Sequence, residues 1–449
     1  MQSFLPQDDA IIVGGGLAGL ATAILLTRQG KRVRLFEQAH ELGGRARTSA
    51  REGFLLNLGP HALYRGGEAM ALLKELGVEP RGSTPPVSGA FAINKGVKHT
   101  FPAGFTSMLS TGMFGLAEKI EAARLLASLG KLDGEPVMNT SVREWLDGNL
   151  AHEGVRDFLL ALFRVTSYAN DPERMSAGAA IEQMKRAFAS GVMYLDGGWQ
   201  SLIDGLRETA RAEGVTIEAG TKVEAIERGL SGEVRSVRLP DGRTYQAPAV
   251  VVAASPGVAA SLVENSHQTS LRRWADELVP IKAACLDVAL RHLPRPKATF
   301  ALGIDEPFYL SVHSASAKLA PEGGAMIHLA KYRPTNDREP AEQIERKLEG
   351  MLDQVQPGWR DAVVYRRFLP DMIVAHALPS AALGGLKGRP ESPVRDVPGL
   401  FVAGDWVGPE GMLADASLAS AKQAATAISG HEISGDRLIS SATSFASRV

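Results

Sequence analysis

The apolar pattern changes period sharply along the chain. Residues 10–13, AIIV, form a continuous apolar run, and the next apolar segment, LAGLATAILLTRQG, has helical length and ends at Gly30. KRVRLFE then predicts a second strand closing on Glu37. Strand, helix and strand in that order build a parallel sheet. EAMALLKELG reads as a helix, and helical segments dominate from about Phe101 to Phe188, as in GLAEKIEAARLLASLGKL and VRDFLLALFRVTSYA. LIDGLRETARAEG predicts an amphipathic helix stopping at Gly214, with the strand VTIEA behind it. From about 222 to 247 the pattern alternates and turns at Ser231-Gly232 and Asp241-Gly242, which predicts a three-stranded meander. AVVVAA is apolar throughout, which suits a strand covered on both faces. A β-rich stretch with two or three helices runs from Ile281 to Ala382, and GLFVAGD returns as a last buried strand.

Between the first strand and first helix lies Gly14-Gly15-Gly16-Leu17-Ala18-Gly19. In that context G-x-G-x-x-G is a dinucleotide-binding turn. Gly14 permits the tight turn, Gly16 lets the backbone approach a pyrophosphate, and Gly19 lets the helix pack close to the strand. The helix N-terminus offers free N–H groups and a positive dipole end to the phosphates. Glu37 is placed to accept hydrogen bonds from a ribose hydroxyl. A second glycine turn follows, Gly43-Gly44-Arg45 with Thr48. Its N–H groups and guanidinium suit phosphate, and nicotinamide dehydrogenases have no need of it. No further G-x-G-x-x-G appears after residue 150, which argues against a protein binding FAD and NAD(P) through two such turns.

Composition narrows the field. A chain of 449 residues allows two or three lobes, and 47 glycines fit many tight turns. A net charge of −1 attracts neither nucleic acid nor an anionic membrane globally. Cys285 is the sole cysteine, so no intrachain disulfide forms and a reducing compartment fits. Without a basic region before the first strand, no signal peptide is expected and a cytoplasmic location is. The longest apolar run is broken by Pro256 and Gly257, so it is no membrane span, which leaves peripheral membrane contact open. The 10 histidines lack metal-ligand spacing, and neither a phosphate-binding G-x-x-x-x-G-K-S/T loop nor a G-x-S-x-G elbow occurs.

Several pieces taken together resemble the flavin amine oxidase, phytoene desaturase and protoporphyrinogen oxidase superfamily. They are GGGLAGL, Glu37, ELGGRART, LNLGPHAL, DGGWQSLIDGL, GVTIEAGTKVEAIE and PGLFVAGDWVGPEG, in the family's order over nearly the whole chain. The resemblance implies an α/β fold with a Rossmann-like FAD-binding domain built from separated segments, 1–95, 196–280 and 391–449. It also implies a substrate domain with a helical part, 96–195, and a mixed β-sheet part, 281–390. FAD would be non-covalent, because Cys285 is not where relatives attach flavin. Its implied contacts are Gly14, Gly16, Leu17, Ala18, Gly19, Glu37, Gly43, Gly44, Arg45, Gly59, Pro60, His61, Val223, Gly404, Asp405, Met412, Leu413 and Ala416.

The stretch VAGDWVGPEGMLADASLASA carries a strand into a helix of small residues. Asp405 can accept ribityl or ribose hydroxyls, or reach phosphate through water. A helix starting near Met412 would aim its N-terminus at the flavin's pyrimidine edge, where reduced flavin is negative. Ala414, Ala416, Ser417 and Ala419 let it lie close to cofactor and sheet. Flavin accepts hydride itself, so few catalytic side chains are required. The family's placement of the LGPHAL turn makes His61 a candidate on the substrate side. Lys282 falls where amine oxidases carry a lysine hydrogen-bonded through water to flavin N5.

Trp199 is expected at the junction of the lobes, bordering the substrate with Met412. Asn57 departs from the Asp common in relatives. Met412-Leu413 is aliphatic where amine oxidases usually place one aromatic wall of a cage, and with aromatics at 6% a second wall is not evident. An aliphatic wall favours an uncharged apolar substrate. The expected activity is therefore FAD-dependent hydride removal from a hydrophobic small molecule, as in a phytoene desaturase-like dehydrogenase. An oxygen-using flavin amine oxidase and a non-catalytic FAD-binding scaffold are the alternatives. FPAGFTSMLSTGMFGL offers Phe and Met to a membrane-facing entrance, and no residue pattern names the electron acceptor or an oligomeric state.

Overall fold

The structure, a computed structural model, describes residues 7–86 and 89–445, with 431–445 as backbone alone. The reading against a signal peptide and the outer domain segments fall partly on 1–6 and 446–449, outside the described residues. Five strands form one parallel sheet, in the order Thr216–Ala219, Val33–Glu37, Ala10–Val13, Ala249–Val252 and Leu400–Val402. Alternate residues go to opposite faces, as a pleated strand requires. Ala10, Ile12, Val251 and Phe401 pack under the helices Leu17–Arg28, Gln200–Ala212 and the start of Leu413–Phe445. Ile11, Val13, Val250 and Val402 pack against the meander and the helix Pro256–Leu262. Both faces are thus covered, which explains why the central strands read as unbroken apolar runs.

The meander itself is Ala225–Arg228, Val234–Arg238 and Thr244–Gln246, antiparallel throughout. A second sheet of seven strands follows the order Val363–Ala375, Ile281–Leu290, Ala325–Arg333, Phe308–Val312, Phe300–Gly303, Ala90–Asn94 and Val97–Thr100. Its pairs are antiparallel except Phe300–Gly303 with Ala90–Asn94. The expected boundary at 95 therefore falls inside a hairpin of this sheet. Helix Ala341–Val355 covers one face through Ile344, Leu348 and Leu352, meeting Ala284, Leu286 and Val288. The other face meets the helices Glu153–Ser167 and Ala177–Ser190, with Ile281, Ala283 and Cys285 turned toward them.

Local signals start the substrate-lobe helices. Ser141 accepts from the Glu144 N–H at 3.2 Å while the Glu144 carboxylate accepts from the Ser141 N–H at 2.9 Å, a reciprocal cap of Val142–Asn149. Among the described residues no helix is long and apolar enough to cross a membrane, and no His/Cys/Asp/Glu group could hold a metal ion.

Candidate active site

The first glycine turn separates two jobs. Gly14 has φ +114°, and a Cβ there would lie 2.5 Å from the Ala253 carbonyl oxygen. A Cβ on Gly19 would lie 1.9 Å from the Gly14 carbonyl oxygen, so these two glycines serve chain packing. A Cβ on Gly16 would meet nothing nearer than Gly43 O at 3.9 Å, and one on Gly44 nothing within 4 Å. Those two open onto a cradle lined by backbone. Among the described residues the N–H groups of Gly16, Leu17 and Ala18 have no acceptor. Glu37 accepts from the Gly15 N–H and the Ala39 N–H, each at 2.8 Å, and keeps lone pairs for a ribose hydroxyl. Val223 is buried in the same core cluster as Val13 and Phe36.

The seam between the lobes holds a charged cluster. Arg45 Nη1 lies 2.6 Å from Asp405 Oδ2 and 2.7 Å from Val374 O. His376 Nδ1 lies 3.0 Å from Asp405 Oδ1. Burial alone would raise the Asp405 pKa, but Arg45 and His376 outweigh it and hold the carboxyl well below the usual carboxylate range. Asp405 is therefore an ionised acceptor at 2% exposure.

Beyond it the helix Leu413–Phe445 begins on Leu413 at φ +56°. A bulky side chain in that conformation costs about 1–2 kcal/mol, and such strain concentrates at functional sites. Among the described residues the N–H groups of Gly411, Met412, Leu413 and Ala414 have no acceptor. Met412 and Ala416 are buried. Asp415 pins the helix start, accepting from the Ala69 N–H at 2.9 Å and from Arg186 at 3.1 Å. Free N–H groups at two helix starts, open glycines beside one of them, and a buried Trp199 Nε1 without a partner all fit FAD.

The turn 57–61 lies directly on the seven-stranded sheet. Gly59, at φ +75°, leaves room for Cys285, whose Sγ would be 2.7 Å from a Cβ there. Asn57 Oδ1 accepts from Thr48 Oγ1 at 2.7 Å and from the Trp199 N–H at 3.0 Å, so Asn57 works as a neutral clamp. Tyr168 donates its hydroxyl to Pro60 O at 3.0 Å, and Arg367 donates to Asn57 O. His61 stands 5.1 Å from the Trp199 ring and its Nδ1 donates to Gly59 O at 3.1 Å. That bond fixes the tautomer and leaves a lone pair on Nε2. Burial pushes His61 down to about 4, only partly offset by the Gly59 carbonyl, so the ring is neutral near pH 7.

The two candidate catalytic residues are not brought together. Strand alternation turns Cys285 toward the turn and sends Lys282 to the opposite face, where its Nζ pairs with Asp371 at 2.9 Å.

Several residues escaped the sequence reading. Arg367, Asp287, His328 and Ser311 sit in register across four neighbouring strands. Asp287 takes His328 Nδ1 at 2.6 Å and Arg367 Nη2 at 2.5 Å, with Asp287 and His328 fully buried. The available signal was one Asp inside IKAACLDVAL and one His inside AMIHLAKYR, each interrupting an apolar strand. Arg389 also escaped; it is 6% exposed and donates to the carbonyls of Asp405, Glu410 and Gly411. Aromatic walls are present too, since the Tyr168 and Tyr332 rings meet at 5.8 Å, and Tyr332 and Tyr309 at 6.5 Å. They come from three distant segments, so no local pattern announces them.

Fold and site together define a two-lobed flavoprotein. The chain belongs to the family described as "Flavin containing amine oxidoreductase", which matches residues 17–429. It is 24% identical to a coproporphyrinogen III oxidase of Propionibacterium freudenreichii, covering 82% of each chain. It is also 24% identical to a carotenoid 3,4-desaturase of Haloarcula japonica, over 81% of this chain and 85% of that one. In structure it is similar to cyclohexylamine oxidase from Brevibacterium oxydans, with TM-score 0.71 at 18% identity, covering 95% of this chain and 100% of the other. The resemblance read from the motifs is thereby borne out. The protein is an FAD-dependent oxidoreductase.

Proposed function

We propose that the protein removes a hydride from a C–H bond of an apolar organic substrate, in the manner of a phytoene desaturase. The observation that carries this reading is the set of aliphatic side chains at the seam. Leu369, Met372, Val374 and Leu413 are partly buried against the cluster that contains Met412 and Cys285. Of these, Val374 offers its carbonyl to the same Arg45 that meets Asp405. Such walls exclude water and offer an extended hydrocarbon dispersion contacts, while the Tyr168, Tyr309 and Tyr332 rings of the same cluster are the observation that favours amine oxidation as the second reading. Bound FAD supplies the two-electron acceptor that receives the hydride at N5.

His61 is the proposed proton acceptor. Hydride departure leaves positive charge on the substrate, and the neighbouring C–H becomes acidic enough for a weak neutral base. The lone pair on Nε2 takes that proton as the double bond forms, and water removes it afterwards. Trp199, beside His61, holds the imidazole face and borders the substrate with Met412. Lys282 enters the proposal only as the candidate to be promoted if amines prove to be substrates. The relative named a carotenoid desaturase supports the reading, and the relative named a coproporphyrinogen oxidase makes porphyrinogens the second class to try.

Anaerobic reduction of the bound flavin tests it. Holoprotein is mixed separately with detergent-solubilised polyenes and isoprenoids, with a porphyrinogen, and with primary amines, and the flavin absorbance is followed. Bleaching by the isoprenoids and none by amines is the expected result. Bleaching by an amine with no response to the apolar panel overturns the proposal in favour of amine oxidation. A flavin that no organic compound reduces points to the scaffold alternative.

A further inference from the structure

Arg389 lies next to the start of the helix Leu413–Phe445, at a place where a cation is electrostatically disfavoured. Its Nη2 is 2.8 Å from Gly411 O and 3.1 Å from Glu410 O, and its Nη1 is 3.2 Å from Asp405 O. The positive end of the helix dipole is therefore reinforced by a buried guanidinium. Burial lowers its pKa to about 10, so it stays protonated at neutral pH. Asp405 favours that charge, but Asp405 is already shared by Arg45 and His376. Arg389 Nε is buried and has no hydrogen-bond partner among the described residues. A buried cation held by carbonyls alone is costly unless an anion joins it.

The carbonyls it holds also set the direction of the neighbouring N–H groups. Each peptide is trans, so turning Glu410 O and Gly411 O toward Arg389 turns the N–H groups of Gly411 and Met412 away from it. Those N–H groups, with Leu413 and Ala414, are the ones left without acceptors. We propose that Arg389 is a positioning residue that makes this helix start an anion site for the reduced flavin and so raises the flavin's reduction potential. The inference rests on FAD binding at this seam and not on the identity of the substrate.

Dye-equilibration titration of the holoprotein measures the effect. Arg389→Gln is expected to favour the oxidised flavin at least about tenfold, which is about 30 mV for a two-electron couple. Arg389→Lys, which keeps the charge, is expected to recover most of that shift. Equal loss of thermal stability in both variants with no change in potential overturns the inference and leaves Arg389 a structural clamp. Should Arg389→Gln fail to fold, the spectrum of the reduced wild-type holoprotein decides instead. The anionic reduced form is expected throughout pH 6–8, and a neutral reduced form at pH 7 overturns the proposal. A preparation that folds but cannot be loaded with FAD contradicts the flavin site itself, an outcome distinct from either.

Discussion

A methyl group added at Gly16 and one added at Gly19 meet different fates. At Gly16 it enters open space with its nearest protein neighbour at 3.9 Å, and the backbone there, at φ −84°, suits any residue. Gly16→Ala is therefore expected to leave the melting temperature of the apoprotein within about 1 °C while weakening FAD at least tenfold, about 1.4 kcal/mol. Gly19→Ala places its Cβ 1.9 Å from a backbone oxygen, so it must move the helix and unfold the turn. Thermal melts of the apoproteins and FAD titrations separate the two. His61 gives a pH signature at the same scale. Its pKa is lowered in the folded state, so the stability that accompanies its neutral form is present above the ordinary value of about 6.5. That stability is lost as pH falls from there toward about 4. Urea midpoints of the apoprotein between pH 4 and 7 should fall more steeply for wild type than for His61→Gln.

At the scale of elements, legibility followed the range of the interactions. The first βαβ unit, the meander and the helix ending before Gly214 depend on periodicity, turns and caps within a few residues, and all of them stand where the pattern placed them. The charged seam depends on contacts across hundreds of positions. Arg45 and Asp405 are each visible in a glycine-rich motif, but nothing local shows that they touch, or that His376 joins them. The ladder of Arg367, Asp287 and His328 is invisible for the same reason, since register between strands is decided by the whole sheet. It also supplies a sharp contrast. Asp287→Ala leaves a guanidinium without its buried carboxylate partner and is expected to cost about 3–5 kcal/mol. Lys282→Met breaks a half-exposed pair with Asp371 and is expected to cost under about 1 kcal/mol in the same denaturation experiment.

Over the whole molecule, the proposed cofactor contacts tie together segments that are far apart in the chain. The glycine turn, Arg45 and Asp405 lie on three separate stretches, so FAD binds the assembled fold and not its parts. Added FAD at about 100 times its dissociation constant should stabilise the protein by about 2.7 kcal/mol. A single cooperative melt displaced to higher temperature is the expected trace. Two melts, only one of them displaced, would mean that the lobes unfold independently.

The order of the parallel sheet also governs how the protein is made. Its fourth strand, Ala249–Val252, needs Leu400–Val402 as a neighbour on one side, and the helix Leu413–Phe445 must follow before that face is covered. At about 5–20 residues per second, the roughly 150 residues between these two strands take about 7–30 s to make. Throughout that interval a nascent chain on the ribosome carries an apolar strand edge with nothing to pair it. On the proposed contacts, flavin cannot be captured until Asp405 and the start of the helix Leu413–Phe445 have emerged, so holoenzyme assembly waits on residues made long after the first glycine turn.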